Sequence, residues 1–367
     1  MNFALTDEQE FLKEAARGAL SRFKTVEAAR EAVDGGELPD LWPTAVEAGW
    51  PGLLISEEAG GAGLGVMEGM LVFSELGRVL AGVPLLGHLP ASYLLDRAGQ
   101  ADEALAAGDI RAAYVPAKPP SDIEPTWTVE ARLGSTRGEA PQIADDGTVT
   151  GEVPWVPDAP GAAVLLVVGA GGRAAAVRAE DAEVEAVEGY DRTRSLGHVR
   201  FDGSPGTLLE GADTAADWYI AQALLAAESL GAVELALEIS VAYAKERFTF
   251  GRAIGSYQAV KHDLVEILRR LENGRSLMYY TGWAGQDKPD EFPLAASAFR
   301  LVAGQALDHA ARAQISVHGG IGATWEHDAP LYFRRAQLSR RLLAGTADAA
   351  DRVAGELLAA ARAKTAA

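Results

Sequence analysis

The chain has 367 residues, enough for two or three domains around a sizeable core. It carries 52 acidic against 33 basic residues, a net charge of −19, which disfavours nucleic acid and anionic membranes as partners. Cysteine is absent, which excludes disulfides, thiolate metal sites and cysteine nucleophiles.

The first residues lack a basic stretch followed by an apolar one, so no signal peptide is evident. No window approaches ~18 uncharged apolar residues, so the expectation is a cytoplasmic protein without a membrane span. Thr6 and Gln9 read as a capping box ahead of Phe11, Leu12, Ala15, Ala16, Ala19 and Leu20 at helical spacing. Helical patterning returns over residues 41–48, 66–80 and 91–107, so residues 1–110 are expected to form a helical domain. Residues 111–212 carry most of the prolines and many valines. Runs at 127–133, 149–156, 163–168, 174–178 and 199–201 read as strands bounded by turn residues. Short strands without intervening helices favour an antiparallel barrel or sandwich. Residues 213–367 return to long helices at 217–247, 256–282, 293–318 and 332–366, the last with a break near Gly345. That is the pattern of a four-helix bundle, and the fold class is α+β, mainly α.

Two glycine runs resemble nucleotide loops only superficially. Gly60, Gly61, Gly63 and Gly65 lie between helices. Gly169, Gly171 and Gly172 lie between two strands, so neither run opens a helix after a strand as a dinucleotide fingerprint does. Residues 245–262 are more informative: a helix C-terminus, a tight glycine turn, then a new helix. Arg247 there offers a fork of donors suited to a pyrophosphate, and Gln258 both donates and accepts. The plain alternative is a basic helix–helix corner. After the helix at 293–318, Gly319 and Gly320 allow close backbone approach and an anion-binding concavity; the plain alternative is a helix end with left-handed glycines. Trp325, Glu326, His327 and Asp328 are expected to cap and orient the next helix. Lys261 and His262 read as solvated helix residues.

Arg247, Phe250, Gly251, Ile254 and Gln258 have the spacing Arg-x-x-Phe-Gly-x-x-Ile-x-x-x-Gln, which resembles a signature of the acyl-CoA dehydrogenase family, flavoenzymes that desaturate acyl-CoA thioesters. The run from His318 through Asp328 resembles that family's second glycine signature. Residues 41–65 resemble its amino-terminal helical domain. The resemblance spans nearly the whole chain in matching order and implies helices, then strands, then a helical bundle, with FAD as cofactor. It implies that Arg247, Phe250 and Gln258 reach across a subunit interface to a neighbour's FAD. Further contacts would come from Gly319 and Gly320, from Ser316 or Gln314 depending on register, and from Thr346.

Desaturation requires removal of the α-proton while the β-hydride passes to the flavin, and a carboxylate of raised pKa does the first. In many relatives that glutamate precedes a Gly-Thr pair late in the bundle; here Ala344 precedes Gly345 and Thr346. In others it lies on the helix leading into the arginine corner, at the position of Ala221. Asp217, Glu228 and Asp348 are nearby, but each residue of displacement along a helix swings a side chain by roughly a third of a circle. The relatives' flavin-ring run falls here on residues 113–122, where Pro119 and Pro120 remove backbone donors. Their Asn-Gly-x-Lys-x-Trp stretch becomes residues 150–155, ending at Trp155. The resemblance therefore implies a subunit without its own base, completing the FAD site of a paralogous partner in an α2β2 assembly. The Trp325–Asp328 block and the Ala/Gly/Asp-rich composition resemble the branch of actinobacterial steroid side-chain degradation, in which such paired subunits are known. That branch implies a steroid-CoA or other acyl-CoA substrate and an electron-transfer flavoprotein as acceptor. Two other readings remain open: a homotetramer using Glu326, Asp348 or Glu228 as displaced base, and a non-catalytic acyl-CoA-binding or scaffold protein.

Overall fold

The structure, a computed structural model, describes residues 4–116, 140–189 and 191–366. The chain opens on α1 (Asp7–Leu20), α2 (Thr25–Val33), α3 (Trp42–Glu47), α4 (Val66–Arg78), α5 (Leu85–Arg97) and α6 (Glu103–Ala107). The expected capping box forms, with Gln9 N–H donating to Thr6 Oγ1 at 3.2 Å and Thr6 N–H to Gln9 Oε1 at 3.0 Å. Helix α2 is not among the expected elements: Lys24 precedes it without a side-chain cap, and its buried residues are Thr25, Ala29 and Ala32. The single helix expected over 91–107 is two helices. They part at left-handed Gly99 (φ 68°), and Asp102 caps α6 by accepting from Leu105 N–H at 2.9 Å.

Next come β1 (Ala112–Val115), β2 (Gln142–Ile143), β3 (Val149–Pro157), β4 (Val164–Val168), β5 (Ala174–Arg178), β6 (Glu183–Val187), β7 (Leu196–Ser204) and β8 (Gly206–Leu208). Among the described residues they form two four-stranded sheets, β1-β4-β5-β8 and β2-β3-β7-β6. Val115, Leu165, Val177, Val156 and Phe201 fill the space between them, while Tyr114, Leu166 and Val168 on the opposite face join the helical core. The two-residue period of a strand thus buries both faces of the first sheet. The arrangement is a sandwich and not a closed barrel. It is also not purely antiparallel: β1 and β4 pair in parallel because the chain passes through the second sheet between them. The turn at Gly169–Gly172 joins antiparallel β4 and β5, as the hairpin reading expects. The strand expected over 127–133 and the prolines of the 117–122 run lie outside the described residues.

The last part comprises α7 (Thr214–Glu246), the short strands β9 (Phe248–Thr249) and β10 (Arg252–Ala253), then α8 (Gln258–Asp287), α9 (Phe292–His318), α10 (Ala329–Ser339) and α11 (Gly345–Ala366). The break expected near Gly345 separates α10 from α11. By length and mean hydropathy (1.5) α7 qualifies as a membrane span, which the simple search for uncharged windows overlooks. Yet 83% of its most apolar window is buried inside the fold, so it is the core helix of the bundle. Its contact with α4 is intimate: a Cβ on Gly77 would lie 1.8 Å from the Glu228 carbonyl oxygen, and one on Gly231 1.8 Å from that of Ser74. Only glycine fits at these two positions.

Candidate functional site

The Arg247 corner is built by a two-residue hairpin. β9 and β10 pair antiparallel, and Phe250 and Gly251 between them both have positive φ, 50° and 81°. This suits the twist of a tight hairpin but strains a phenylalanine. The corner is pinned by Ile254 N–H donating to the Arg247 carbonyl (2.8 Å) and by the Tyr257 hydroxyl donating to the Thr249 carbonyl (3.1 Å). Arg252 lies 3.9 Å from the centroid of the Tyr257 ring. Phe250 is consequently 98% exposed and Phe248 62%. Arg247 ends α7 and is exposed, as is Gln258 in the first turn of α8. Among the described residues Arg247 pairs with no carboxylate, although the chain carries a net charge of −19. An unpaired guanidinium beside the N-terminus of a 30-residue helix is a favourable place for an anion.

The glycine turn lies against the same corner. Tyr243, whose carbonyl accepts from Arg247 N–H at 2.9 Å, stacks on His318 with ring centroids 4.4 Å apart. Gly319 follows with φ 64°, and a Cβ on Gly319 or Gly320 would meet nothing within 4 Å. Ser316 is on the exposed side of α9, whereas Gln314 is fully buried and its amide finds no hydrogen-bond partner. Of these two residues, only Ser316 faces outward. Next, His327 Nδ1 accepts from Ala329 N–H at 3.0 Å and so caps α10, the role expected of the Trp325–Asp328 run. Lys261 and His262 are exposed. Through the Tyr243–His318 contact, the Arg247 corner and the Gly319 turn lie close together, bringing a cation, an exposed ring and open backbone into one neighbourhood.

The two base positions also converge. Gln222, next to Ala221, donates from Nε2 to the Leu343 carbonyl at 3.4 Å, which joins α7 to the turn before α11. Ala221 is fully buried and Ala344 is 2% exposed. Leu343, Ala344 and Gly345 have φ of 50°, 67° and 80°, three left-handed residues in succession. Arg300 holds the turn from beneath, donating to the carbonyls of Ser339 and Leu342. Thr346 is half-buried at the start of α11, in space left by Gly304, where a Cβ would lie 2.5 Å from Thr346 Cγ2.

The alternative carboxylates are placed as follows. Glu326 is exposed and Asp348 is 8% exposed near the α11 start. Asp217 lies one turn before Ala221, fully buried. Burial, reinforced by Asp213, pushes its carboxyl well above the ordinary range and so toward the neutral acid. Tyr114 from β1 is its polar neighbour, although neither Asp217 oxygen has a hydrogen bond of normal geometry. Glu228 is held by both Arg194 and Arg335, the latter at 2.7 Å. Arg335 also binds Asp191 at 2.5 Å and the Thr193 hydroxyl at 2.5 Å, and all five side chains are buried. This network ties α10 and α7 to the loop before β7. No sequence signal marked it, because Glu228 lies 34 residues from Arg194 and Arg335 more than 100 residues from all the other members. Beside it, burial raises Asp158 to about 6, opposed by Arg194 and by Gly87 N–H, which donates at 2.8 Å.

Residues 219–358 match the family described as acyl-CoA dehydrogenase, C-terminal domain, and residues 6–103 match acyl-CoA dehydrogenase, N-terminal domain. The chain belongs to the acyl-CoA dehydrogenase family. Members of this family are FAD-dependent. The chain is 32% identical to the acyl-CoA dehydrogenase IpdE2 of Mycobacterium tuberculosis over 360 residues, covering 96% of this chain and 98% of the relative. A variant of the Tcur3481–Tcur3483 steroid ACAD superposes with a TM-score of 0.82 at 27% identity, covering 97% of this chain and 99% of that one. The ChsE4–ChsE5 complex from Mycobacterium tuberculosis shares the fold, with a TM-score of 0.82 at 24% identity over 98% of this chain and 99% of that one.

Proposed function

We propose that this chain is the flavin-completing, base-less subunit of a heteromeric acyl-CoA dehydrogenase. Its paralogous partner would supply the catalytic carboxylate and the flavin-ring contacts, in an α2β2 assembly acting on a steroid-type acyl-CoA. The observation that supports this reading is that Ala221 and Ala344, which stand where the resemblance expects a base, are both buried alanines whose neighbours Gln222 and Leu343 are joined by a hydrogen bond. The solved steroid ACAD with two named components and the ChsE4–ChsE5 complex support a two-subunit assembly.

Bound FAD supplies the hydride acceptor for α,β-desaturation. Arg247 would neutralise the diphosphate, Gln258 would donate to it, and Phe250 would cover the apolar part of the cofactor. Gly319 and Gly320 would allow backbone approach, with Ser316 and Thr346 as flanking hydroxyls. The reduced cofactor would be reoxidised by an electron-transfer flavoprotein. A self-sufficient enzyme with a displaced base gains little from Glu228, whose two oxygens are occupied by arginines.

The test is to purify the chain alone and together with a co-expressed paralogous subunit, and to record visible spectra. A colourless chain alone, with half-stoichiometric FAD in the complex that bleaches on adding a steroid acyl-CoA, is the expected result. Stoichiometric flavin in the isolated chain that bleaches with acyl-CoA would sink the reading.

A further inference from the structure

Three rings form a continuous stack at the junction of the two halves of the proposed flavin contact. Tyr243 on α7 lies 4.4 Å from His318 at the end of α9, and His318 lies 4.1 Å from His327, just before α10. Each ring is tied to a different part of the site. Tyr243 gives its carbonyl to Arg247 N–H, His318 is bonded in sequence to Gly319, and His327 caps α10. Nothing else described joins the Arg247 corner to the glycine turn so directly.

The tautomers follow from the hydrogen bonds. His318 Nδ1 faces the Gln314 carbonyl at 2.7 Å, an acceptor only, so Nδ1 carries the proton and Nε2 is a buried lone pair without a partner. His327 Nδ1 accepts from Ala329 N–H, so its proton is on Nε2. Protonating His318 would place a charge on a buried nitrogen with no acceptor. Protonating His327 would break its cap and set a cation at a helix N-terminus. The groups facing this pair are Tyr243, Asp328 and Arg30, the last two ion-paired with each other. Both histidines are held below the ordinary value, chiefly by burial and, for His327, next by His318.

We propose that the Tyr243–His318–His327 stack is the positioning element that holds the Arg247 corner and the Gly319–Gly320 turn in one register, so that the two halves of the flavin contact act as a unit. His318 is its central, positioning residue. This rests on the flavin-completing function above. The neutral stack is intact at pH 7 and above; because both imidazoles are held below their ordinary value, it charges, and the two halves separate, only on acidification below the usual imidazole range.

The test measures FAD affinity of the co-purified complex by fluorescence titration of the FAD-stripped protein, with subunit stoichiometry followed by gel filtration. His318→Ala should weaken FAD binding about three- to tenfold per lost ring contact while the complex stays assembled. His318→Phe keeps a flat ring that cannot titrate. It should restore most of the affinity at pH 7.5 and make the loss of FAD on acidification smaller than in the wild type, since only His327 then takes up a proton. Should His318→Ala fail to assemble, Tyr243→Leu removes a ring while keeping apolar volume, and the same loss is expected. Wild-type affinity in His318→Ala, or wild-type acid release in His318→Phe, overturns the proposal. A wild-type complex that takes up no FAD overturns the functional reading as well. A flavin-loaded complex indifferent to His318 overturns only the stack.

Discussion

Two regions of this protein, both matched by resemblance to the family's site, are built in opposite ways. Around Ala221 and Ala344 the chain is closed: both methyls are buried, Arg300 holds the turn from beneath, and Asp217 one helical turn away is buried and held toward its neutral form. Around Arg247 it is open, with an unpaired cation, a phenylalanine 98% exposed, and glycines facing empty space. Both regions contain strained non-glycine residues, Leu343 and Ala344 in one and Phe250 in the other. Strain in a closed region is held by surrounding packing, whereas strain on an open surface persists only where local hydrogen bonds enforce it. On the function proposed above, the closed region is where the chemistry is missing and the open one is where the cofactor is met.

The strongest way to break the comparison is to attack what closes the inner region. Arg335→Met would leave Glu228 and Asp191 buried with less compensation. Removing one partner of such a network costs about 3–5 kcal/mol. Thermal unfolding should shift down by many degrees, and flavin retention should fall only as the fold is lost. A variant as stable as the wild type would mean that the network does not hold α7 and α10 together. At the open region the expectation inverts. Arg247→Ala should leave the melting temperature of the chain almost unchanged, because the side chain is exposed and unpaired. Charge-assisted hydrogen bonds are worth about 1.5–3 kcal/mol, so FAD retention by the assembled complex should drop about ten- to a hundredfold. Unchanged flavin content would remove Arg247 from the site.

These two regions were unequally legible in the sequence. The open corner was visible because its parts are close in the chain: Arg247, Phe250, Gly251 and Gln258 span one turn between helices, and a local turn records its needs in local residues. The long helices were legible for a similar reason, since periodicity is a local property. The network of Arg335, Asp191, Glu228 and Arg194 was not, because buried charges find partners through tertiary packing that no spacing encodes. Helix α2 escaped for want of caps and large apolar residues. The parallel pairing of β1 with β4 escaped because strand patterns give periodicity but not partner or direction. Ala344 was legible as an alanine where the resemblance expects a carboxylate. Its left-handed backbone was not, since alanine seldom adopts that conformation.

Asp158 offers a sharper reading of the closed region through pH. Burial raises its folded value to about 6, above that of an unfolded aspartate near 3.8. The folded state therefore holds this proton more tightly than the unfolded state. Its contribution favours folding as pH falls from about 7 toward 4, and opposes folding above about 6. Asp158→Asn keeps an acceptor for Gly87 N–H but cannot ionise. Relative to the wild type, the variant should gain up to about 3 kcal/mol at pH 8, an advantage that fades between about pH 6 and pH 4. Denaturant unfolding at several pH values reads this directly. A constant difference across the range would show that Asp158 does not titrate between those limits.

The finest test sets strain against strain. A left-handed alanine or phenylalanine costs roughly 1–2 kcal/mol relative to glycine, whereas glycine adds about 0.5–1 kcal/mol of chain entropy to be lost on folding. Phe250→Gly gives up almost no buried surface, so relief and entropy nearly cancel and the isolated chain should unfold within about 0.5 kcal/mol of the wild type. Ala344→Gly also vacates a buried methyl, worth about 0.8 kcal/mol, so it should come out neutral to slightly destabilised. The two substitutions are thus nearly silent in stability but should differ in the assembled complex. Loss of the exposed ring should weaken FAD binding, while loss of the buried methyl should leave it as it was. If Ala344→Gly released flavin and Phe250→Gly did not, the cofactor would be held from the closed side of the molecule, and the division drawn between the two regions would be reversed.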